Sequence, residues 1–184
     1  NVMPGSIDLY NNSRIVFTKF DLSGLHDFHE YSTDKRFFKY FEYPPHNSIA
    51  DSIKYINKMQ DRMNDNFFNG YTMYWYIRLR GSMKVIGSLA LVGVDFNKSI
   101  GQVGKGLSPS YWGKGYMSEA MDIYMDYCFG LLGLNKLWSV TRIDNIPNIT
   151  LMRKKGFVIT DRLDNYYKNL DSAVHDAVIL TKSV

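Results

Sequence analysis

The segment that most limits how this chain can fold is Gly104-Lys105-Gly106-Leu107-Ser108-Pro109-Ser110-Tyr111-Trp112-Gly113-Lys114-Gly115-Tyr116, where a strand-like run passes through glycines straight into a strongly patterned helix. Met117, Ala120, Met121, Tyr124, Met125, Cys128, Leu131 and Leu132 recur at the spacing of one helix face, while Ser118, Glu119, Asp122 and Asp126 fill the opposite one. This predicts a helix from Met117 that ends near Gly130 or Gly133. Glycines let successive backbone N–H groups point into one concavity, and the helix start adds unsatisfied donors and the positive end of its dipole. The guest that suits such a junction is a phosphate or pyrophosphate.

Two phosphate motifs fail here. A Walker A loop needs Lys and then Ser or Thr after its second glycine, whereas Gly115 follows Lys114 and no hydroxyl is placed for a magnesium ion. A dinucleotide fingerprint needs a third small position and an acid at the end of a second parallel strand; Ser118 is a poor match and Leu137 to Arg142 brings no such acid. An acyl-CoA turn is what remains, beside the plainer possibility of a glycine turn that only tightens strand-to-helix packing.

The rest of the chain supplies a frame for this turn. Ser13 to Phe20 reads as a strand and Leu25 to Phe41 as an interrupted helix, stopped by Pro44-Pro45. Asn47-Ser48 caps a second helix from about Ile49 to Met63. Thr72 to Arg80, Lys84 to Val94 and Gly101 to Ser108 read as an antiparallel meander; Leu137 to Arg142 is a further strand. Asn145 caps a short helix with Pro147 in its first turn, closed by Gly156, and Phe157 to Leu163 and Ala173 to Thr181 are final strands. The order predicts a single α+β domain over 13–184, a mixed, mostly antiparallel central sheet flanked by helices. Asn1 to Asn12 reads as a flexible leader.

A chain of 184 residues is long enough to bury a core, and the formal charge of +4, from 22 basic and 18 acidic residues, is mixed along it. That mixture suits anionic small ligands and gives no basic face for nucleic acid. No apolar run approaches the roughly 18–20 residues that cross a bilayer, so no membrane partner and a cytoplasmic location are expected. The one cysteine, Cys128, forms no internal disulfide and offers no metal cluster, and it reads as core. No metal is expected.

Tyr111-Trp112-Gly113-Lys114-Gly115-Tyr116-Met117-Ser118-Glu119-Ala120 resembles the pyrophosphate motif of the GNAT N-acetyltransferase superfamily, in the branch of ribosomal-protein N-terminal and spermidine acetyltransferases. Asn145-Ile146-Pro147-Asn148-Ile149-Thr150-Leu151-Met152-Arg153-Lys154-Lys155-Gly156-Phe157 is similar to that family's second block, an Asn-x-x-Ser helix ending in Lys-x-Gly-Phe. The likeness covers about half the chain, Ile86 to Leu180. It implies acetyl-CoA, or another short acyl-CoA, as co-substrate. The amides of Gly113, Lys114, Gly115, Tyr116 and Met117 would hold the pyrophosphate, while Gly106 and Leu107 would pair with pantetheine as a strand does. Asn145 would bond pantetheine, Asn148 stands where the family has Ser beside the thioester sulfur, and Lys154 would meet the 3′-phosphate or else satisfy its helix dipole.

The implied reaction is direct transfer of an acetyl group to a primary amine. An alkylammonium has a pKa of about 10.4, so a proton must leave before attack. Several relatives use a Glu on the strand before the turn; the comparable residue here is Gln102, which does not titrate, and a family Tyr acid falls at Met152. Glu42 and His46, flanking Tyr43-Pro44-Pro45, are the candidate bases of the acceptor half. Aromatic density from Phe28 to Tyr43 favours a small-molecule amine acceptor such as a nucleotide-linked amino sugar. A protein N-terminus, a polyamine, and a non-catalytic acyl-CoA-binding module stay open, as does a homodimer.

Overall fold

The computed structural model describes residues 6–7, 13–41, 43–65, 70–168 and 172–184. Eight strands form one sheet: β1 (Ser6–Ile7), β2 (Ile15–Lys19), β3 (Tyr71–Leu79), β4 (Val85–Asp95), β5 (Ile100–Leu107), β6 (Lys136–Arg142), β7 (Val158–Lys168) and β8 (Val174–Ser183). Their spatial order is β1-β2-β3-β4-β5-β6-β8-β7, and every neighbouring pair is antiparallel except β5–β6. The helices are α1 (Leu25–Ser32), α2 (Ile49–Asn64), α3 (Tyr116–Met125) and α4 (Ile146–Lys154). This is the α+β, mostly antiparallel architecture that the sequence predicts.

The sheet has a core on each face. On one, Ile15, Phe17, Trp75, Ile77, Leu89 and Leu91 pack against Ala120, Met121, Tyr124 and Cys128 beneath α3 and Met152 of α4. On the other, Phe20, Tyr76 and Val85 meet Phe28 and Tyr31 of α1 and Ile56, Met59 and Met63 of α2. Fully burying such a side chain stabilises by about 1.5–3 kcal/mol, so the alternation along β3, Trp75 to one face and Tyr76 to the other, fixes its register firmly.

Several boundaries differ from expectation for local reasons. The first helix stops at Ser32 instead of reaching Phe41, because the Asp34 carboxylate takes the Arg36 amide and guanidinium and residues 33–40 close as successive turns. Beyond Met125 the helix widens into a π segment, Asp126–Leu131, in which the Leu132 N–H reaches back to the Tyr127 C=O. The α2 start is a capping box: Ser48 Oγ accepts the Asp51 N–H, and the Asp51 carboxylate accepts the Ser48 and Asn47 N–H groups. Within the expected leader, Ser6–Ile7 pairs with Phe17–Thr18; its other residues lie outside those described.

Candidate active site

The sheet opens at its centre. β5 runs beside β6 only where Ile100, Gly101 and Gln102 face Lys136, Leu137 and Trp138, while on its other side it stays paired with β4 up to Leu107. From Val103 onward its outer edge faces a gap. The Ser108 N–H donates to the Ile86 C=O (2.7 Å), and bonded pairs alternate along an antiparallel ladder, so Gly106 spends its backbone groups on Ser88 while Lys105 and Leu107 turn theirs to the gap. The Leu107 C=O already accepts the Trp112 indole N–H at 2.9 Å. This corrects the expectation for Gly106: its amide is engaged, and what matters is its missing side chain, since a Cβ there would lie 2.8 Å from the Phe37 ring.

At the end of β5 the chain makes a 3-10 turn, Pro109–Tyr111, and then the glycine turn. Gly113 has φ +74° and Gly115 φ +80°, both left-handed, and a Cβ added at Gly113 would meet nothing within 4 Å. Gly115 is the N-cap of α3, and no side chain caps that end. The first amides of a helix lack internal partners, so an exposed, uncapped start at the mouth of a gap is a place for an anion.

A family profile for the acetyltransferase (GNAT) domain matches residues 14–158. The chain belongs to the GNAT acetyltransferase family. It is 26% identical over 155 residues to the uncharacterized N-acetyltransferase p20 of Bacillus licheniformis, covering 84% of this chain and 85% of that protein. The microcin C7 self-immunity acetyltransferase MccE, solved with acetyl-CoA and AMP, superposes with a TM-score of 0.80 at 18% identity, over 94% of each chain. The spermidine N-acetyltransferase of Vibrio cholerae, solved with CoA and spermine, gives 0.76 at 16% identity, over 94% of this chain and 96% of that one.

The second GNAT block is α4. Asn145 is its N-cap, with Oδ1 accepting the Asn148 N–H at 3.3 Å, and Asn148 Nδ2 donates to Thr141 Oγ1 of β6 at 2.8 Å. Both amides expected to reach the acyl donor therefore already have partners. Lys155 joins α4 to α3 through Asp122 (2.9 Å), whereas Lys154 is exposed and makes no ion pair among the described residues. Met152 is fully buried and Gln102 lies at the last β5–β6 pair. Burial pushes the Cys128 thiol up to about 12, which leaves it inert.

Glu42 lies outside the described residues. His46 belongs to a small polar cluster: its Nδ1 and that of His29 each lie 2.7 Å from the buried Ser52 hydroxyl. Burial lowers its pKa, with Asp51 opposing and His29 adding to the shift. Its ring is 6.2 Å from Phe38, which is 5.0 Å from Phe37, the ring that lies against Gly106 of β5. Two aromatic rings thus separate His46 from the gap.

Sequence reasoning missed three groups. Lys105 shares a sheet face with its partner Leu89, its side chain makes no hydrogen bond or ion pair among the described residues, and its amine is pushed down to about 7 by burial. Ser139, just past the last β5–β6 pair, is 3% exposed and its hydroxyl has no partner among the described residues. Arg14 packs against the glycine turn, 105 residues from the Glu119 it binds. A charged residue on the same strand face as Val103 and Leu107 could have flagged Lys105; no local signal marks Arg14.

Proposed function

We propose that this GNAT acetyltransferase moves an acetyl group from acetyl-CoA directly to the primary amine of a small molecule. The observation that carries this is the open glycine turn at the mouth of the β5–β6 gap, with left-handed Gly113 and Gly115 leaving room for a pyrophosphate. The amides of 113–117 would hold the phosphates, and the outward backbone of Lys105 together with the Leu107 N–H would bond pantetheine as an added strand. Lys154, unpaired on the last turn of α4, is our candidate for the 3′-phosphate. Of the two Asn148 amide protons one is committed to Thr141, which leaves the other for the departing sulfur.

In the step itself the neutral amine nitrogen attacks the thioester carbonyl, the C–S bond breaks, and the CoA thiolate takes up a proton. A fair leaving group with a pKa of about 8.5 does not require a strong acid, which accommodates Met152. The amine must arrive neutral, and His46, set back behind Phe37 and Phe38, would take its proton at Nε2 through a chain of water that passes around those rings. Phe37, Phe38, Phe41 and Tyr43 form a cluster of edge-to-face contacts with Tyr43 stacked on Phe41, and Arg142, ion-paired to Asp144, lies 5.2 Å over Tyr40. Rings beside cations favour an acceptor with a planar ring and phosphates, so a nucleotide-linked amino sugar is the first choice over a polyamine or a protein N-terminus. The test offers acetyl-CoA with such sugars, spermidine and ribosomal N-terminal peptides in parallel, following free thiol. Turnover of spermidine or a peptide with inert sugars would overturn the acceptor, and no thiol release with any amine would favour a binding module.

A further inference from the structure

The Trp112 indole on the Leu107 C=O and the Tyr111–Tyr116 ring contact brace the two ends of the glycine turn, but a Cβ at Gly113 would touch nothing and no side chain caps the helix it opens. A further hold comes from the far end of the sequence. Arg14, just ahead of β2, donates through Nε to Glu119 Oε2 (2.7 Å) and through its backbone N–H to Glu119 Oε1 (2.7 Å). Its Nη1 donates to the Lys114 C=O at 3.0 Å, and the guanidinium lies 4.2 Å over the Tyr116 ring. One side chain therefore grips the turn, the first helical residue and the first-turn carboxylate.

The consequence follows from the peptide plane. In a trans peptide the C=O and the following N–H point in opposite directions. Drawing the Lys114 C=O toward Arg14 aims the Gly115 N–H away from it, into the open side of the turn. Charge matters as well. Glu119 stands in the first turn of α3, where its carboxylate would repel a bound phosphate, and Arg14 neutralises it.

We propose that Arg14 is the positioning residue of the phosphate site: it orients the Lys114–Gly115 peptide and cancels the Glu119 charge so that the turn presents donors to an anion. This rests on the acyl-CoA reading above. It assigns Arg14 no contact with the reacting atoms.

The test is calorimetric binding of CoA to the unaltered protein, R14A, R14K and the R14A/E119Q double variant, with ADP and pantetheine as competitors. R14A weakens CoA and ADP by the same factor, about tenfold, the size expected for losing charge-assisted hydrogen bonds, and leaves pantetheine unchanged. R14K, which keeps the charge but not the fork, falls between, and E119Q restores part of the loss in R14A. CoA affinity within about twofold of the unaltered protein in R14A and R14K, or pantetheine weakened as much as CoA, overturns the role. Should R14A fail to fold, R14K decides by the same comparison. No CoA binding by the unaltered protein overturns both this role and the site.

Discussion

Gly113 and Gly133 form a matched pair that separates backbone strain from loss of the ligand site. Both are left-handed, with φ of +74° and +70°, and a Cβ at either would meet nothing within 4 Å of protein. Substituting alanine therefore introduces no clash at either position. Holding a non-glycine residue in that conformation costs about 1–2 kcal/mol, so Gly113→Ala and Gly133→Ala should lose similar stability in urea unfolding. Their CoA affinities should differ. A methyl at Gly113 occupies space meant for a phosphate oxygen, and losing one charge-assisted hydrogen bond, about 1.5–3 kcal/mol, weakens CoA roughly ten- to a hundredfold. Gly133, beyond the π segment, should bind CoA normally when measured by calorimetry on folded protein. Equal CoA affinities in the two variants would refute the placement of the phosphates, whatever the stabilities show.

Other outcomes follow from titratable groups that the fold shifts. Lys105 has a folded pKa of about 7, below its ordinary 10.5, so the unfolded chain binds more protons between those values and stability should rise with pH across that window; Lys105→Met should flatten the rise in urea titrations, and an unchanged slope would count against burial of the amine. His46 is likewise lowered from 6.5, mainly by burial, so stability should fall as pH drops below 6.5, less steeply in His46→Gln, as read by thermal melts across acid buffers. Cys128→Ala should keep near-normal turnover and lose about 1 kcal/mol of stability, and an acylated Cys128 peptide forming at the rate of turnover would disprove direct transfer.

Much of the fold was legible because it is written in local periodicity. The α2 helix starts at Ile49 as its cap signalled, and the meander strands, expected at Thr72–Arg80, Lys84–Val94 and Gly101–Ser108, lie at Tyr71–Leu79, Val85–Asp95 and Ile100–Leu107. The glycine turn was legible for a similar reason: its conformations are properties of adjacent residues. What was hidden depends on contacts between distant ones. Gly106 looked like a strand donor, yet which side its amide faces is set by pairing with Ser88. His46 looked available, yet Ser52 binds it together with His29, from another helix. Asn145 and Asn148 look like ligand groups in sequence, and both also serve as struts, one capping its own helix and the other reaching Thr141. An interruption somewhere within Leu25 to Phe41 was expected, but that the helix ends at Ser32 depends on Asp34 competing for backbone donors.

The short seam between β5 and β6 bears on how the molecule assembles. Three residue pairs are the parallel contact that joins a five-stranded half, β1 to β5, to a three-stranded half, β6, β8 and β7. Each half is built from antiparallel neighbours, whereas the seam is the sheet's parallel pairing and closes only once the α3 crossover has returned. A cofactor laid along the open edge would act as a keel between the halves. Its binding free energy would then add to the cohesion of the whole sheet, and refolding in its presence would lock the two halves together along that parallel seam.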